Sequence, residues 1–331
     1  MARSRTPCIG PVLRARVFVL AVALWGACSS SASPAVDPRE LRIAAMAPAA
    51  AEMLVALGLV DKVAGVGDYV DWPPEVRALP RLGPYNAPNA ERVLGLRVNL
   101  LVSSHSVAAS ASLARLRELG IRVLELDFKT YAGTLASLVE LGRAVGAERA
   151  ARTLEGQIRA RMDALTRRSA TVARRRVLFV VGRDPLYVAG PGSHIHEMII
   201  AAGGENIAGD TASPYELASM ESMLERMPEV IIDTSDNRPG ALRGHQNGAW
   251  AQWSFLPAVA QNRVYWVEPS RLVIPGPRLP DMAELLARMI HPEIFGVVTE
   301  TELGPLGGPA RAASGSPAAG PAAITAPAAA P

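Results

Sequence analysis

Aromatic and arginine side chains are concentrated in loops that follow predicted strands, although only 5% of the residues are aromatic. Loops at the carboxyl ends of strands are where open α/β sheets bind their ligands. These side chains therefore predict an aromatic-lined cleft suited to a large flat ligand, unless the rings pack locally against prolines or in the core. The candidates are Tyr69, Trp72, Tyr85, Arg183, Tyr187, Tyr215 and Arg271.

The residue patterns of common enzyme and metal sites are missing from the sequence. There is no G-x-S-x-G, no P-loop and no H-E-x-x-H motif, so no nucleophile or catalytic base can be named. His194 and His196 lie two positions apart at the start of a predicted helix, and residues at that spacing do not face one another. We therefore predict no catalytic residue, no metal site and no cofactor.

Short β-rich runs alternate with helical ones on both sides of one long helix. This alternation is typical of parallel sheets covered by helices. The predicted strands are Leu41–Met46, Val63–Val66, Leu100–Ser103, Arg122–Leu126, Arg176–Val181, Val230–Asp233 and Arg263–Val267.

The long helix spans residues 147–172 and contains no proline. One stripe at helical spacing carries its apolar side chains, which are Ala151, Leu154, Ile158, Met162, Leu165 and Val172. Such a helix is either a solvated surface element or a rigid connection between two halves of the chain.

An internal repeat favours the connection. The segment 52–58 is echoed by 197–203, and Glu91-Arg92-Val93-Leu94 is echoed by Glu221-Ser222-Met223-Leu224 at an offset of 130. Both matches occur in the same order on either side of the helix. The fold class is therefore α/β, with two Rossmann-like lobes of central parallel sheets, residues 41–146 and 173–297, joined by one helix.

The chain ends have a different composition. Residues 1–27 combine a basic start with the apolar run Val17–Trp25, which is too short to span a bilayer and predicts a signal peptide. Residues 28–40 are a predicted flexible tether. Residues 298–331 are rich in Pro, Ala and Gly and predict a disordered tail.

Cys28 follows Leu24-Trp25-Gly26-Ala27, which resembles a bacterial lipobox. Lipidation would anchor the chain at a membrane surface through Cys28, whereas ordinary cleavage near Ala27 would release it. Residues 1–27 carry four arginines and no acid, so their removal takes the net charge from +3 to −1. A nucleic-acid partner is therefore not expected.

Beyond these patterns, the sequence between Leu41 and Phe295 resembles the substrate-binding proteins of bacterial ABC importers for cobalamin and iron chelates. It departs from the usual Lys-Pro-Asp-like turn at Arg97-Val98-Asn99. The segments that carry the resemblance include Ala47-Pro48 with Glu52, Tyr69-Val70-Asp71-Trp72-Pro73-Pro74, Asn89-Ala90-Glu91-Arg92, Ala202-Gly203-Gly204-Glu205-Asn206-Ile207 and Leu256-Pro257-Ala258-Val259.

The resemblance implies a helical-backbone, class III binding protein without enzymatic activity, located in the periplasm or at the cell surface. Glu91 and Glu221 would dock on arginines of an inner-membrane permease dimer that works with an ATPase. The ligand would be a corrinoid held by the aromatic residues, with His105 and Arg271 as polar wall positions, and the protein would be a monomer.

Other ligands and functions stay open at this point. An arginine could clamp a carboxylate or phosphate, which suits a ferric siderophore. A tyrosine could ligate haem iron. A two-lobed enzyme with its active site in the cleft, or a lipoprotein that binds another protein through its aromatic loops, are alternatives from other classes.

Overall fold

The structure of the chain is a computed structural model that describes residues 40–105, 111–235 and 248–304. The predicted signal peptide, Cys28 and the tail from residue 305 onward lie outside the described residues. None of the helices within the described ranges is long and apolar enough to cross a bilayer.

The first lobe is a four-stranded parallel sheet with helices on its faces. The sheet order is β2-β1-β3-β4, and every neighbouring pair runs parallel. Its strands are β1 (Ile43–Ala45), β2 (Val63–Val66), β3 (Leu100–Ser104) and β4 (Arg122–Leu126). Its helices are α1 (Pro48–Ala56), α2 (Ala90–Gly95), α3 (Ala111–Glu118) and α4 (Tyr131–Ala144).

The predicted connecting helix is α5, Glu148–Ser169. Glu148 lies in its first turn, and Arg167 and Arg168 lie in its last, which suits the helix dipole at both ends. Four members of the predicted apolar stripe are buried, namely Ala151, Ile158, Met162 and Leu165. The helix packs against α4 of the first lobe and against the second lobe, so it is a connection and not a solvated surface element.

The second lobe contains a six-stranded sheet of order β10-β9-β5-β6-β8, with β7 paired to β5. Its strands are β5 (Arg175–Arg183), β6 (Leu186–Ala189), β7 (Gly204–Asn206), β8 (Tyr215–Leu217), β9 (Val230–Asp233) and β10 (Val264–Trp266). Its helices are α6 (His194–Ala201), α7 (Met220–Glu225), α8 (Pro257–Ala260), α9 (Pro269–Leu272), α10 (Leu279–Ile290), α11 (Pro292–Phe295) and α12 (Glu300–Leu303).

The second sheet is only partly parallel. Strands β10, β9, β5 and β7 pair in parallel, whereas β6 pairs antiparallel with both β5 and β8. The expectation of two parallel sheets therefore needs a correction here. Only the two residues Asp184-Pro185 separate β5 from β6, which is enough for an antiparallel hairpin and too few for a parallel crossover.

Alternate residues of the central strands divide between two sides of each sheet. In β1, Ile43 and Ala45 belong to an inner core, and Ala44 belongs to an outer one. In β5, Phe179 belongs to the same inner core and Leu178 to a separate outer core. One continuous inner core thus runs through both lobes, and the lobes are not independently packed units.

The internal repeat is reproduced in the backbone contacts that precede the central strands. The N–H of Arg42 donates to Asn99 Oδ1 at 3.0 Å, and the N–H of Arg176 donates to Glu229 Oε2 at 3.0 Å. Residues 99 and 229 are separated by the same offset of 130 as Glu91 and Glu221. Asn99, where the sequence departs from the family pattern, therefore supplies the acceptor that this turn requires.

The beginning of the predicted disordered tail is in fact packed. Val298 and Leu303 are buried, and Thr299 and Glu302 form a capping box at the start of α12. The backbone N–H of Glu268 donates to Leu303 O at 2.8 Å. The second lobe therefore extends to Gly304, because two apolar side chains and a cap suffice to hold this short segment against the lobe.

Candidate ligand-binding cleft

The long loop between β2 and α2 is organised by one arginine. Arg81 Nη1 donates to the carbonyls of Gly67 at 3.1 Å and Val70 at 2.6 Å. Arg81 Nη2 donates to Asp71 Oδ1 at 2.9 Å. The sequence interpretation did not single out Arg81, although an arginine inside a proline-rich loop with a nearby aspartate was a usable signal. These bonds fix the stretch that carries the first predicted rings.

Three predicted ligand rings lie on this first-lobe loop. Tyr69 is 60% exposed, whereas Trp72 is half-buried. Tyr85 is also half-buried and packs against the outer core of the first lobe. The guanidinium carbon of Arg278, from the second lobe, lies 5.7 Å from the centroid of the Trp72 ring. The loop therefore presents one open ring and two rings that neighbouring residues support.

The second-lobe rings lie on the antiparallel part of the sheet. Tyr187 of β6 pairs with Leu217 of β8, and Ala189 pairs with Tyr215. Directly opposed residues and residues two apart lie on the same face, so Tyr187 and Tyr215 share one face. Burial raises the pKa of the Tyr215 phenol to about 12. The sequence placed both rings on loops, and the structure places them on strands.

Arg183 lies at the carboxyl end of β5 and is held by the carboxyl end of β9. Its Nη1 donates to Asp233 Oδ2 at 3.0 Å. Trp250 Nε1 donates to the same oxygen at 2.9 Å, and the N–H of Ser235 donates to Oδ1 at 2.8 Å. Asp233, only 2% exposed, is thus the hub of the second-lobe edge. Its position as the last residue of the predicted strand Val230–Asp233 was a usable signal, which the sequence interpretation did not use.

Arg271 does not behave as the predicted ligand clamp. Its Nε donates to the carbonyl of Gly304, and its Nη2 donates to Thr301 O at 2.9 Å. Burial, together with the nearby charge of Arg278, lowers the pKa of its guanidinium. Arg271 is therefore an anchor of the C-terminal helix, because the backbone carbonyls that end α12 need donors.

His105 is exposed and directly follows β3, at the carboxyl edge of the first sheet. Residues 106–110, which follow it, lie outside the described residues. The prediction of a polar wall position at His105 therefore stays a prediction.

The two predicted docking glutamates occupy equivalent, exposed places. Glu91 is in the first turn of α2, where Asn89 caps the helix by accepting from the N–H of Arg92 at 2.9 Å. Glu221 is in the first turn of α7, which Ser219 caps in the same way. A carboxylate in this position also interacts favourably with the helix dipole. The repeat therefore presents one acidic side chain on each lobe.

Two other glutamates related by the repeat cross between the lobes. Glu52 of α1 accepts from Arg278 Nε at 2.8 Å and from Arg278 Nη2 at 2.6 Å. Glu197 of α6 accepts from the backbone N–H of Tyr131, in α4, at 2.5 Å. Each lobe therefore sends one glutamate to the other lobe.

His194 strengthens the same contact between the lobes. Its backbone N–H donates to Lys129 O, in the first lobe, at 2.7 Å. Its ring is buried, which lowers the pKa to about 4. In the part of the chain that the structure describes, no group of three or more His, Cys, Asp or Glu could hold a metal ion.

Comparisons with known proteins agree with this geometry. Residues 43–270 match the family described as periplasmic binding protein. The chain is 29% identical over 261 residues to the uncharacterized ABC transporter substrate-binding lipoprotein YvrC of Bacillus subtilis, which covers 77% of this chain and 81% of that protein.

Two solved structures share the fold over most of their length. The periplasmic vitamin B12 binding protein BtuF of Vibrio cholerae has a TM-score of 0.65 at 26% identity, covering 75% of this chain and 96% of that one. The periplasmic heme-binding protein BhuT, solved with two hemes, has a TM-score of 0.66 at 25% identity, covering 75% and 97%. The chain therefore belongs to the periplasmic binding protein family, as a substrate-binding component of an ABC importer.

Proposed function

We propose that this protein captures a corrinoid between its two lobes and delivers it to an ABC permease dimer. The observation that carries the proposal is the placement of rings on both lobes. Trp72 and Tyr85 lie on the first-lobe loop, and Tyr187 and Tyr215 share a face of the second. Stacking on large flat ligands is what such rings do best. The likeness to a vitamin B12 binding protein supports the same ligand class.

Calorimetry with cyanocobalamin tests the corrinoid assignment. We expect saturable one-to-one binding, and a loss of about tenfold in affinity for Tyr187→Ala, since a buried aromatic anchor contributes on the order of 1–2 kcal/mol. Phe255→Ala is the matched control, because Phe255 is 61% exposed and precedes α8. Wild-type protein that gives neither heat nor a thermal shift at high cyanocobalamin concentration would remove the assignment.

A haem is the second candidate ligand. Tyr69 has an exposed ring at the first-lobe loop, and a phenolate oxygen is a known axial ligand of haem iron. The likeness to a protein solved with two hemes also favours it. Titration with haemin should then give a tyrosinate charge-transfer band that disappears in Tyr69→Phe and persists in Tyr85→Phe. A ferric siderophore is a further candidate, and Arg183 would contact one of its carboxylates. Titration with a ferric siderophore in place of haemin tests it.

The likeness to an ABC transporter substrate-binding lipoprotein supports a location outside the cytoplasm. Cys28 would carry the lipid anchor. Cys28→Ser should move the protein from the membrane fraction to the soluble fraction, without altering ligand binding. Wild-type protein already in the soluble fraction would mean that the signal is simply cleaved, and a variant that stays in the membrane fraction would mean that Cys28 has no part in anchoring.

A further inference from the structure

We propose that Arg278 is a positioning residue for the ligand-binding wall: held by Glu52 across the lobe contact, it fixes the ring of Trp72. The inference deepens the proposed function, since it assigns a residue of the second lobe to the geometry of a first-lobe ring. It concerns contacts that exist without any ligand, so it can fail or hold separately from the corrinoid assignment.

The Glu52–Arg278 pair is buried and doubly bonded. Its side chains are 3% and 17% exposed, and both N–H···O contacts lie between 2.6 and 2.8 Å. Arg278 Nη2 also donates to Ser270 O at 3.0 Å. A planar guanidinium held by a bidentate carboxylate has little freedom to rotate. The pair therefore sets the plane and position of the arginine.

The fixed guanidinium lies beside Trp72. Its central carbon is 5.7 Å from the ring centroid, which is within the range in which a cation is attracted to an aromatic ring. Burial raises the pKa of Glu52 above its ordinary value, and the hydrogen bonds and charge of Arg278 oppose only part of this rise. The arrangement also needs space beside the carboxylate of Glu52.

Gly276 leaves that room. A Cβ at this position would lie 3.2 Å from Glu52 Oε2, closer than ordinary van der Waals contact. Two residues later in the chain, Arg278 enters α10. The turn before α10 thus places the backbone of Gly276 close to the Glu52 carboxylate. The same turn brings the guanidinium of Arg278 within hydrogen-bond distance of that carboxylate.

A buried ion pair does not by itself indicate a more stable fold, because the free-energy cost of desolvating both charges opposes their attraction. What such a pair supplies is a defined geometry, and here the geometry joins three elements. Glu52 belongs to α1, Arg278 is the N-cap residue of α10, and Trp72 lies on the loop after β2. The repeat-related Glu197 also crosses between the lobes, but it does so by accepting from the backbone N–H of Tyr131. Glu197 is therefore a matched comparison.

The test is the environment of Trp72 in protein labelled with 5-fluorotryptophan and observed by fluorine NMR. The Trp72 resonance is the one lost in Trp72→Phe. We expect Arg278→Gln to shift and broaden that resonance, while the other tryptophan resonances stay in place. Arg278→Lys keeps the charge without the bidentate fork and should give an intermediate shift. Glu52→Gln should move the same resonance in the same direction, and Glu197→Gln should leave it unchanged.

Ligand affinity gives the second readout. With cyanocobalamin as the probe, Arg278→Gln should bind about tenfold more weakly, and Glu197→Gln should bind like the wild type. If the wild type binds no cyanocobalamin, the corrinoid assignment fails, while the fluorine spectra of the ligand-free variants still decide this inference.

A purely structural role predicts something different. In that case, Arg278→Gln would lower the melting temperature and leave the Trp72 resonance in place, which overturns the proposal. A movement of the resonance in Glu197→Gln equal to that in Glu52→Gln would overturn it too. Should Arg278→Gln not fold, which would collapse all tryptophan resonances, Arg278→Lys and Glu52→Gln carry the decision.

Discussion

At equivalent positions of their central strands, separated by the repeat offset of 130, the first lobe carries Ser103 and the second carries Asp233. Ser103 is fully buried, and its hydroxyl has no hydrogen-bond partner among the described residues. Asp233 accepts bonds from Arg183, Ser235 and Trp250. One strand position is thus inert in one lobe and organises the cleft edge in the other.

Away from the cleft edge the lobes are alike. The Arg42–Asn99 and Arg176–Glu229 contacts place the central strands in the same way, and capped helices present Glu91 and Glu221, the two predicted docking residues. The repeat thus supplies a common frame, which consists of the similarly placed central strands and the capped helices of both lobes. The side chains and strands at the carboxyl edges then make one lobe different from the other, and that is where a ligand that has no two-fold symmetry needs different contacts.

The largest effect should come from reversing the charges that the common frame presents. Glu91→Lys combined with Glu221→Lys should abolish uptake and leave ligand affinity unchanged, because like charges facing permease arginines cost several kcal/mol. Uptake assays with calorimetry in parallel measure this. Glu225→Lys, at the other end of α7, is the control and should transport normally. Uptake that survives the double reversal would show that these glutamates do not dock.

The Ser103 and Asp233 positions should respond very differently to removal of their polar groups. Asp233→Ala should destabilise the fold by about 3 kcal/mol, because it removes the buried acceptor that Arg183, Trp250 and Ser235 share. Ser103→Ala should be neutral or slightly stabilising, since its hydroxyl is already unpartnered. Urea unfolding measures both. Equal effects at the two positions would contradict the assigned difference.

Acid should weaken the second lobe through His194, whose repeat counterpart in the first lobe is Ala49. The buried ring has a pKa of about 4, below the ordinary value near 6.5, so the unfolded chain takes up the proton first. Stability is therefore complete above about pH 6.5 and falls towards pH 4, by about 3 kcal/mol in all. His194→Gln should flatten this part of the stability profile, and His105→Gln, at an exposed site, should not.

The contact between α4 and α5 depends on one glycine. A Cβ at Gly142 would lie far inside contact distance of the Ala151 methyl group. Gly142→Ala should therefore destabilise the protein by about 1–2 kcal/mol, despite its better helix propensity. Gly156→Ala, in α5 with nothing within 4 Å, should stabilise by about 0.5–1 kcal/mol. Thermal unfolding measures both variants. A lower melting temperature for Gly142→Ala and a higher one for Gly156→Ala would confirm the close packing.

The smallest effect expected is lobe closure. Because α5 and a continuous inner core join the lobes, cyanocobalamin should change the radius of gyration only slightly. Solution scattering with and without the ligand measures this. A large decrease in the radius of gyration would show that the shared core separates and reforms. It would contradict the description of two lobes joined rigidly by α5 and the inner core.

Local sequence patterns predicted the elements with strong periodicity. The ends of Val63–Val66, Arg122–Leu126 and Val230–Asp233 were right to the residue, because short runs rich in aliphatic residues and bounded by turn residues are typical of strands. Helix α5 begins and ends within three residues of the predicted span 147–172. Strands β7 and β8 were missed because each has only three residues, and their pairing partners are far away in sequence.

The candidate site was predicted less completely. The candidate rings stood out because aromatic residues are rare in this chain, although Tyr187 and Tyr215 lie on strands and not on the predicted loops. The residues that order their surroundings were not singled out, because the contacts of Arg81, Asp233 and Arg278 become visible only in the folded chain. Nothing local in the sequence shows that the donors of Arg271 bind backbone carbonyls in and just after α12 either.

The class of fold, the repeat and the family could be predicted from the sequence, because periodicity, capping residues and motif order are local properties of the chain. Tertiary structure alone decided which charges meet. Glu52 and Arg278 lie 226 residues apart, and Arg183 and Asp233 lie 50 apart. A charged pair is defined by distance in space, and only folding brings such residues within hydrogen-bond reach.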